Sequence, residues 1–391
     1  MERLQAYKFE LKPSGGQLSL LRRFAGACRY VFNKALALQQ ENYAAGNGYI
    51  GYVAMARNLT AWRHDQETPW LRDAPCHPLQ HALKHLDAAF RNFFAKRTGC
   101  PRFKRKGCGD AFRYPDPKQI KLDQGNSRIF LPKLGWLRYR NSRQVLGEVR
   151  NVTVCCAAGK WFVAIQTRRE VEECLPAGKT AIGVDVGIVH LAATSDGKFV
   201  EAANSYRKHL KRLSLLQRRM SRKVKFSSNW QKAKAGVQKL HARIANLRKD
   251  VLHKASTTIS KTHAIVCIED LQIGNMVRSA KGTLQQPGRM VAQKSALNRR
   301  ILDQGWGEFR RQLEYKLAWR GGILQVVPPR HTSQTCPSCG HVSPENRRTQ
   351  AKFKCVACAY ENHADMVGAI NILERGLRLL ACGERSSQAA R

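Results

Sequence analysis

Apolar and polar positions along the chain follow two rhythms, one of period two and one of three to four, and their alternation outlines the elements. Residues Arg3 to Pro13 alternate in the manner of a strand, and from Gly16 onward Leu21, Phe24, Cys28, Val31 and Ala35 recur at helical spacing. A second stripe, Leu79, Leu83, Leu86, Phe90 and Phe93, follows the breaker between Pro75 and Pro78 and predicts a helical bundle reaching about Thr98. From Arg128 to Thr167 the rhythm returns to two: Val152, Val154 and Cys156 alternate with polar neighbours, Gly159-Lys160 makes a turn, and Trp161, Val163 and Ile165 follow. This predicts a small sheet or barrel that the N-terminal strand completes, with the helices as an insertion.

Beyond the linker at Pro176-Ala-Gly, Thr180 to Val186 and Ile188 to Thr194 read as strands, and Asp196-Gly197 turns the chain into a third at Lys198 to Val200. Residues 205 to 255 are helical, a hairpin broken near Ser227-Ser228-Asn229, with a seam at Val237, Leu240, Ile244, Leu247 and Val251. A strand at Ala264 to Ile268, a loop to about Leu297, a helix to Trp319 and a strand at Ile323 to Val327 follow. The order βββ-α-β-α-β fits an RNase H-like α/β core. A last helix runs from His363 to Glu374, and the composition from Arg375 onward predicts a disordered tail.

Charge changes this picture more than length does. Lys and Arg number 68 against 28 Asp and Glu among 391 residues, a formal net charge of +40, which repels itself unless a polyanion neutralises it. RNA or DNA is the expected partner. No apolar run long enough to span a bilayer, no secretory signal and no lipidation motif is present, so no membrane association is expected and a bacterial cytoplasmic location is. The basic run Cys-Pro-Arg-Phe-Lys-Arg-Lys-Gly-Cys-Gly offers Arg102, Lys104, Arg105 and Lys106 as phosphate contacts. Arg218, Arg219, Arg222 and Lys223 do the same on the long helical stretch. Of thirteen cysteines, nine share no spacing and read as reduced core residues.

The other four form the strongest motif: Cys336-Pro-Ser-Cys339 and Cys355-Val-Ala-Cys358, two knuckles 15 residues apart, suited to one tetrahedral structural Zn²⁺. Three acids stand out as well. Asp185 lies in Gly-Val-Asp-Val-Gly at the end of a buried strand, where an unpartnered carboxylate costs several kcal/mol. Glu269 ends another strand, and because strand side chains alternate, only one of Glu269 and Asp270 can face Asp185. Asp365 opens the final helix. Together, three carboxylates can hold two divalent ions, Mg²⁺ or Mn²⁺, for phosphodiester hydrolysis.

These motifs in this order resemble the TnpB (OrfB) family of insertion-sequence proteins, relatives of type V CRISPR effectors. The segments that carry the resemblance are Pro-Arg-Phe-Lys-Arg-Lys, Gly-Val-Asp-Val-Gly-Ile, Ile-Glu-Asp-Leu, Cys-Pro-Ser-Cys-Gly with Cys-x-x-Cys, and Asn-His-Ala-Asp before Ala-Ile-Asn-Ile-Leu. The resemblance implies a multidomain α/β chain: a wedge β-barrel in two parts, 1–14 and 100–175, with a helical recognition domain at 15–99. It further implies a RuvC-like nuclease at 176–330 and 362–376, a zinc ribbon handling target nucleic acid at 331–361, and a tail at 377–391. It implies a guide RNA from the transposon end, cleavage of double-stranded DNA beside a short transposon-adjacent motif, a catalytic triad at Asp185, Glu269 and Asp365, and zinc ligands at the four cysteines. A nuclease-silent RNA-guided DNA-binding repressor is the alternative.

Two departures from the family pattern stand out. Val367-Gly368 replaces the usual Asn-Ala, expected to crowd the site with a branched residue, and Ala359 replaces the glycine usual after the last cysteine.

Overall fold

A computed structural model describes residues 1–172 and 180–383, which fall into two units, Met1–Val171 and Glu172–Arg391. The predicted linker at 176–178, Cys174 and the last eight residues of the chain lie outside the described residues.

In the first unit β1 (Glu2–Lys12) leads into α1 (Gly15–Ala44), α2 (Tyr52–His64) and α3 (Cys76–Phe94). Six strands follow: β2 (Ala111–Tyr114), β3 (Lys121–Asp123), β4 (Arg128–Leu131), β5 (Gly135–Tyr139), β6 (Glu148–Ala157) and β7 (Lys160–Glu170). Ser14 starts α1 with a capping box closed by Gln17, satisfying donors the helix cannot. The strands form an antiparallel sheet in the order β2-β6-β7-β1-β5-β4-β3. β1 lies in its middle, with Tyr7 opposite Ile165, Phe9 opposite Val163 and Leu11 opposite Tyr139. Among the described residues no pairing joins β2 to β3, so hydrogen bonding alone does not close the expected barrel.

The turn between β6 and β7 centres on Ala158 and Gly159, φ 51° and 82°, one residue earlier than predicted. The twist of the flanking strands demands this left-handed pair. Leu79, Leu83, Leu86 and Phe90 of α3 are buried with the α1 stripe, but Phe93, on the last turn, is exposed.

The second unit begins with β8 (Ala181–Val186), β9 (His190–Thr194), β10 (Phe199–Glu201), α4 (Ser205–Ser221) and α5 (Ser228–Thr262). β11 (Ile265–Glu269), α6 (Ile273–Met276), α7 (Val291–Gln304), α8 (Trp306–Ala318) and β12 (Ile323–Val327) come next, then β13 (Lys352–Lys354), β14 (Glu361–His363) and α9 (Ala364–Ala381). The sheet order is β10-β9-β8-β11-β12, with β8, β11 and β12 parallel and β9 and β10 antiparallel. Ile182, Val184, Val266 and Ile268 pack on one face beneath Ile259, Phe309 and Leu313. α9 covers the other.

α9 comes close to the strands because glycine occupies both contact points. A Cβ on Gly183 would collide with the Ala369 carbonyl, and one on Gly376 with the Cys267 sulfur. The helix also runs to Ala381, past the predicted stop at 374–376, because Leu379 extends its apolar face onto Cys267 and Val327. In the hairpin, Val237, Leu240 and Ile244 bury against Leu213 of α4, while Leu247 is exposed where the seam gives way to the sheet-packing segment around Leu252. α4 lacks its own cap, since Asn204 is left-handed. Asp303, at the end of α7, supplies one, accepting from Ser205 Oγ and the Tyr206 and Arg207 amides at 3.0–3.3 Å.

Three of the nine cysteines read as core, Cys100, Cys108 and Cys382, are exposed, since they sit in loops or past a helix end. No helix among the described residues is long and apolar enough to cross a membrane.

Candidate carboxylate centre and four-cysteine ribbon

Parallel strands β8 and β11 end side by side, which brings Asp185 and Glu269 to the same edge of the sheet, and α9 lays its first turn against them with Asp365. The Asp185 carboxyl is pushed up to about 8, first by burial and then by the charges of Glu269 and Asp365, with Arg347 opposing. Burial also raises Glu269, against a hydrogen bond from Thr332 and the nearby Arg375 and Arg347. Asp270 points away, as strand alternation requires, and pairs with Arg310 at 2.6 Å. The three carboxylates stand further apart than the four sulfurs described below, the only such group among the described residues with all ligand atoms within 4.8 Å.

Several side chains that hold this centre escaped the motif reading. Thr332 Oγ1 donates to Glu269 Oε1, and the loop carrying Thr332 is fixed by Asn371 Nδ2, which donates to the Thr332 and Thr335 carbonyls at 2.7 and 2.8 Å. Arg375 Nη1 donates to the Pro328 and Arg330 carbonyls of the same loop at 2.8 and 2.7 Å. α9 therefore supplies one carboxylate and orients another through that loop. Asn371 was present in the Ala-Ile-Asn-Ile-Leu signature; Thr332 carried no sequence signal. Arg347 reaches Asp365 Oδ1 at 3.1 Å and is three-quarters buried.

The expected crowding at 367–368 falls differently. Val367 is fully buried with Cys336, Phe353, Cys355 and Ala364 beneath the ribbon, while Gly368 faces the centre, its absent Cβ lying 2.7 Å from Asp185 Oδ2. Helical geometry puts consecutive residues about 100° apart, so the two positions cannot share a surface.

The ribbon is built from two knuckles of identical backbone pattern. Gly340 N–H donates to the Cys336 carbonyl and Cys336 N–H to that of His341; Ala359 and Cys355 repeat this with Cys355 and Tyr360, all at 2.9–3.0 Å. Gly340 and Ala359 both adopt positive φ, 76° and 59°. Cys336 Sγ lies 3.6 Å from Cys358 Sγ, and Cys339 Sγ 3.6 Å from Cys355 Sγ. A tetrahedral zinc with Zn–S near 2.3 Å requires sulfurs roughly 3.8 Å apart, so the donor set fits. His331 is exposed, bonded to Gln334 instead of joining the sulfurs.

Arg102, Lys104, Arg105 and Lys106 all lie in the exposed loop before β2, and Arg218, Arg219, Arg222 and Lys223 at the exposed end of α4. The first four belong to the first unit and the other four to the second.

Comparison with known proteins gives three family matches: "Probable transposase" of the OrfB type over residues 164–280, a "Cas12f1-like, TNB domain" over 306–372, and a helix-turn-helix model over 1–48, here β1 and α1. The chain is 57% identical over 384 residues to an Escherichia coli K12 protein named "Putative RNA-guided DNA endonuclease InsQ", covering 98% of this chain and 95% of the relative. It is 34% identical to a Streptomyces pristinaespiralis protein named "Putative RNA-guided DNA endonuclease", over 97% of this chain and 91% of that one. Its fold resembles the protein in a solved Cas12f1–sgRNA–target DNA complex, with TM-score 0.59, 13% identity and coverage of 95% and 98%.

Proposed function

Because this chain belongs to the TnpB (OrfB) family of insertion-sequence proteins, we propose that it is an RNA-guided DNA endonuclease that hydrolyses phosphodiester bonds at Asp185, Glu269 and Asp365. The observation that carries this reading is the convergence of these carboxylates from β8, β11 and α9, which leaves Asp185 protonated near neutral pH unless a cation arrives. A mere turn aspartate would not sit opposite two further acids. The same convergence argues against a nuclease-silent repressor, which would have no use for such a cluster. The β10-β9-β8-β11-β12 sheet with α9 across it would be the RuvC-like core, and the seven-stranded sheet of the first unit the wedge.

Mg²⁺ or Mn²⁺ held by the three carboxylates, two ions by the usual logic of such sites, would supply an activated water and neutralise charge on the leaving oxygen. The protein's own part is positional and electrostatic. Thr332 donates to Glu269 from a loop that Asn371 and Arg375 fix, which limits the reorganisation this carboxylate needs when substrate arrives. Arg347, already against Asp365, is placed to hold a non-bridging phosphate oxygen of the scissile group. The four-cysteine ribbon would carry a structural zinc whose binding free energy folds the segment that delivers Arg347. Sequence would be read by a guide RNA, the protein reading only a short duplex motif, which accords with a charge of +40 spread over both units.

The test is cleavage of a plasmid carrying a guide-matched target, with Mg²⁺ and RNA transcribed from the transposon end. Wild type should cut only at the match. Replacing Asp185, Glu269 or Asp365 with Ala should abolish cutting and leave nucleic-acid affinity largely intact, since phosphate contacts supply affinity. Wild-type cutting by any of the three variants would remove that residue from the site, and site-specific cutting after complete RNA removal would defeat the guided reading.

A further inference from the structure

A second concentration of charge lies in the first unit and takes in Lys104 and Arg105 of the basic loop. α1, α3, the loop before β2 and β2 itself enclose an open cavity of about 360 Å³, toward which Arg29, His81, His85, Lys104, Arg105 and Arg113 turn. That volume is in the range of sites for small ligands or single nucleotides.

Charge in this cavity is not balanced. Asp110 is its only acid, and it is taken up by Arg29 at 2.9 Å and by the Gly107 amide at 3.1 Å. Lys104, Arg105 and Arg113 have no carboxylate partner among the described residues, and Arg113 Nε is buried without a hydrogen bond. Neighbouring cations leave their mark on the imidazoles: His81 is pushed down to about 4, by burial first and then by His85, Arg113 and Lys84.

The cationic groups are also held in place, as a built site requires. Lys104 exchanges two backbone hydrogen bonds with the Asn33 side chain, at 2.8 and 3.0 Å, and its ammonium lies 4.0 Å over the Phe32 ring. His81 and His85 meet edge to face at 4.4 Å on successive turns of α3. Cys28, Ala82 and Phe112 give the cavity an apolar floor.

We propose that this cavity receives a single nucleotide of a bound RNA strand, its phosphodiester held by Lys104 and Arg113. A duplex cannot enter a cavity of this size, whereas one unstacked nucleotide can. RNA is favoured over DNA by Asp110, since a carboxylate that repels phosphate accepts a hydrogen bond from a ribose 2′-hydroxyl, and its oxygens keep lone pairs beyond the bonds they already accept. The proposal rests on the RNA-guided reading and adds a place on the protein where the RNA is gripped.

The test uses the full chain stripped of nucleic acid, with three probes: a single-stranded RNA from the transposon end, DNA of the same sequence, and uridine 5′-monophosphate. Lys104→Gln with Arg113→Gln should weaken RNA binding at least tenfold and make the slope of log affinity against log salt shallower by roughly 0.7, the value for one phosphate no longer neutralised on a single strand. The DNA probe should lose much less. Without any substitution, RNA should also slow alkylation of Cys108, on the cavity wall, by iodoacetamide, as read by mass spectrometry. RNA affinity unmoved by the double substitution, an equal loss for DNA, or unchanged Cys108 alkylation would overturn the assignment. Tight uridine monophosphate binding that leaves RNA affinity untouched would assign the cavity to a free nucleotide instead. A wild-type chain that binds no RNA at all defeats the guided reading, whereas RNA binding indifferent to these residues defeats only the cavity.

Discussion

Gly368 stands where any side chain would touch the Asp185 carboxylate: an added Cβ lies 2.7 Å from Oδ2 and 3.3 Å from Cγ. The position of that carboxylate is therefore set partly by a missing methyl group. Gly368→Val, larger than the alanine usual in the family, should force the Asp185 end to turn and lower the cleavage rate about tenfold, because small displacements of a catalytic group are costly. Nucleic-acid affinity should not change. A cleavage rate equal to wild type, measured under single-turnover conditions, would show that Asp185 turns without penalty.

The raised carboxyl of Asp185 predicts a pH dependence in protein free of Mg²⁺ and Mn²⁺. An acid whose folded pKa, about 8, exceeds its unfolded value of 3.8 binds its proton more tightly when folded. Its stabilising contribution is whole below about pH 4 and is lost as pH rises to 8. Melting temperature should fall between pH 5 and 8 more steeply in wild type than in Asp185→Asn, and millimolar Mg²⁺ should restore wild type at pH 8. Parallel curves for the two proteins would place Asp185 outside the coupled cluster.

Arg347 touches Asp365 and comes from the ribbon insertion, so the ribbon reaches the chemistry through this side chain as well as through Thr332. Arg347→Ala should reduce cleavage by about 10²–10³, the usual effect of deleting a donor that stabilises developing charge. Arg347→Lys should recover part of it, with zinc content unchanged in both. A loss confined to DNA affinity would return Arg347 to the role of surface contact.

The two knuckles differ at one position that matters. Ala359 adopts φ 59° where its counterpart Gly340 adopts 76°, and a left-handed alanine costs about 1–2 kcal/mol. Ala359→Gly should slow zinc loss to a chelator by roughly fivefold, the equivalent of about 1 kcal/mol. Cys355→Ser should lose the metal outright by elemental analysis, whereas His331→Ala should retain one zinc per chain. Full zinc in Cys355→Ser would mean that another residue completes the site.

Wherever chemistry rests on local spacing, the sequence determined it. Two knuckles 15 residues apart can place four sulfurs together without help from the rest of the chain, and the structure brings them within 4.8 Å. Period-two and helical stripes marked β1, β6 to β8, α1, α3 and the α4–α5 hairpin, because burial of one face must repeat with the geometry of the element. Alternation alone separated Glu269 from Asp270. What sequence could not decide was contact between distant segments. That Gly368 and not Val367 meets Asp185, that Asp303 caps α4, that Thr332 orients Glu269 and that Arg347 reaches Asp365 all depend on how α9, α7 and the ribbon pack. Such contacts join residues up to 183 positions apart, from Asp185 to Gly368, and leave no period in the chain. The helix running on past residue 376 has the same cause, since Leu379 is held by Cys267 and Val327, a surface that exists only once the sheet is assembled.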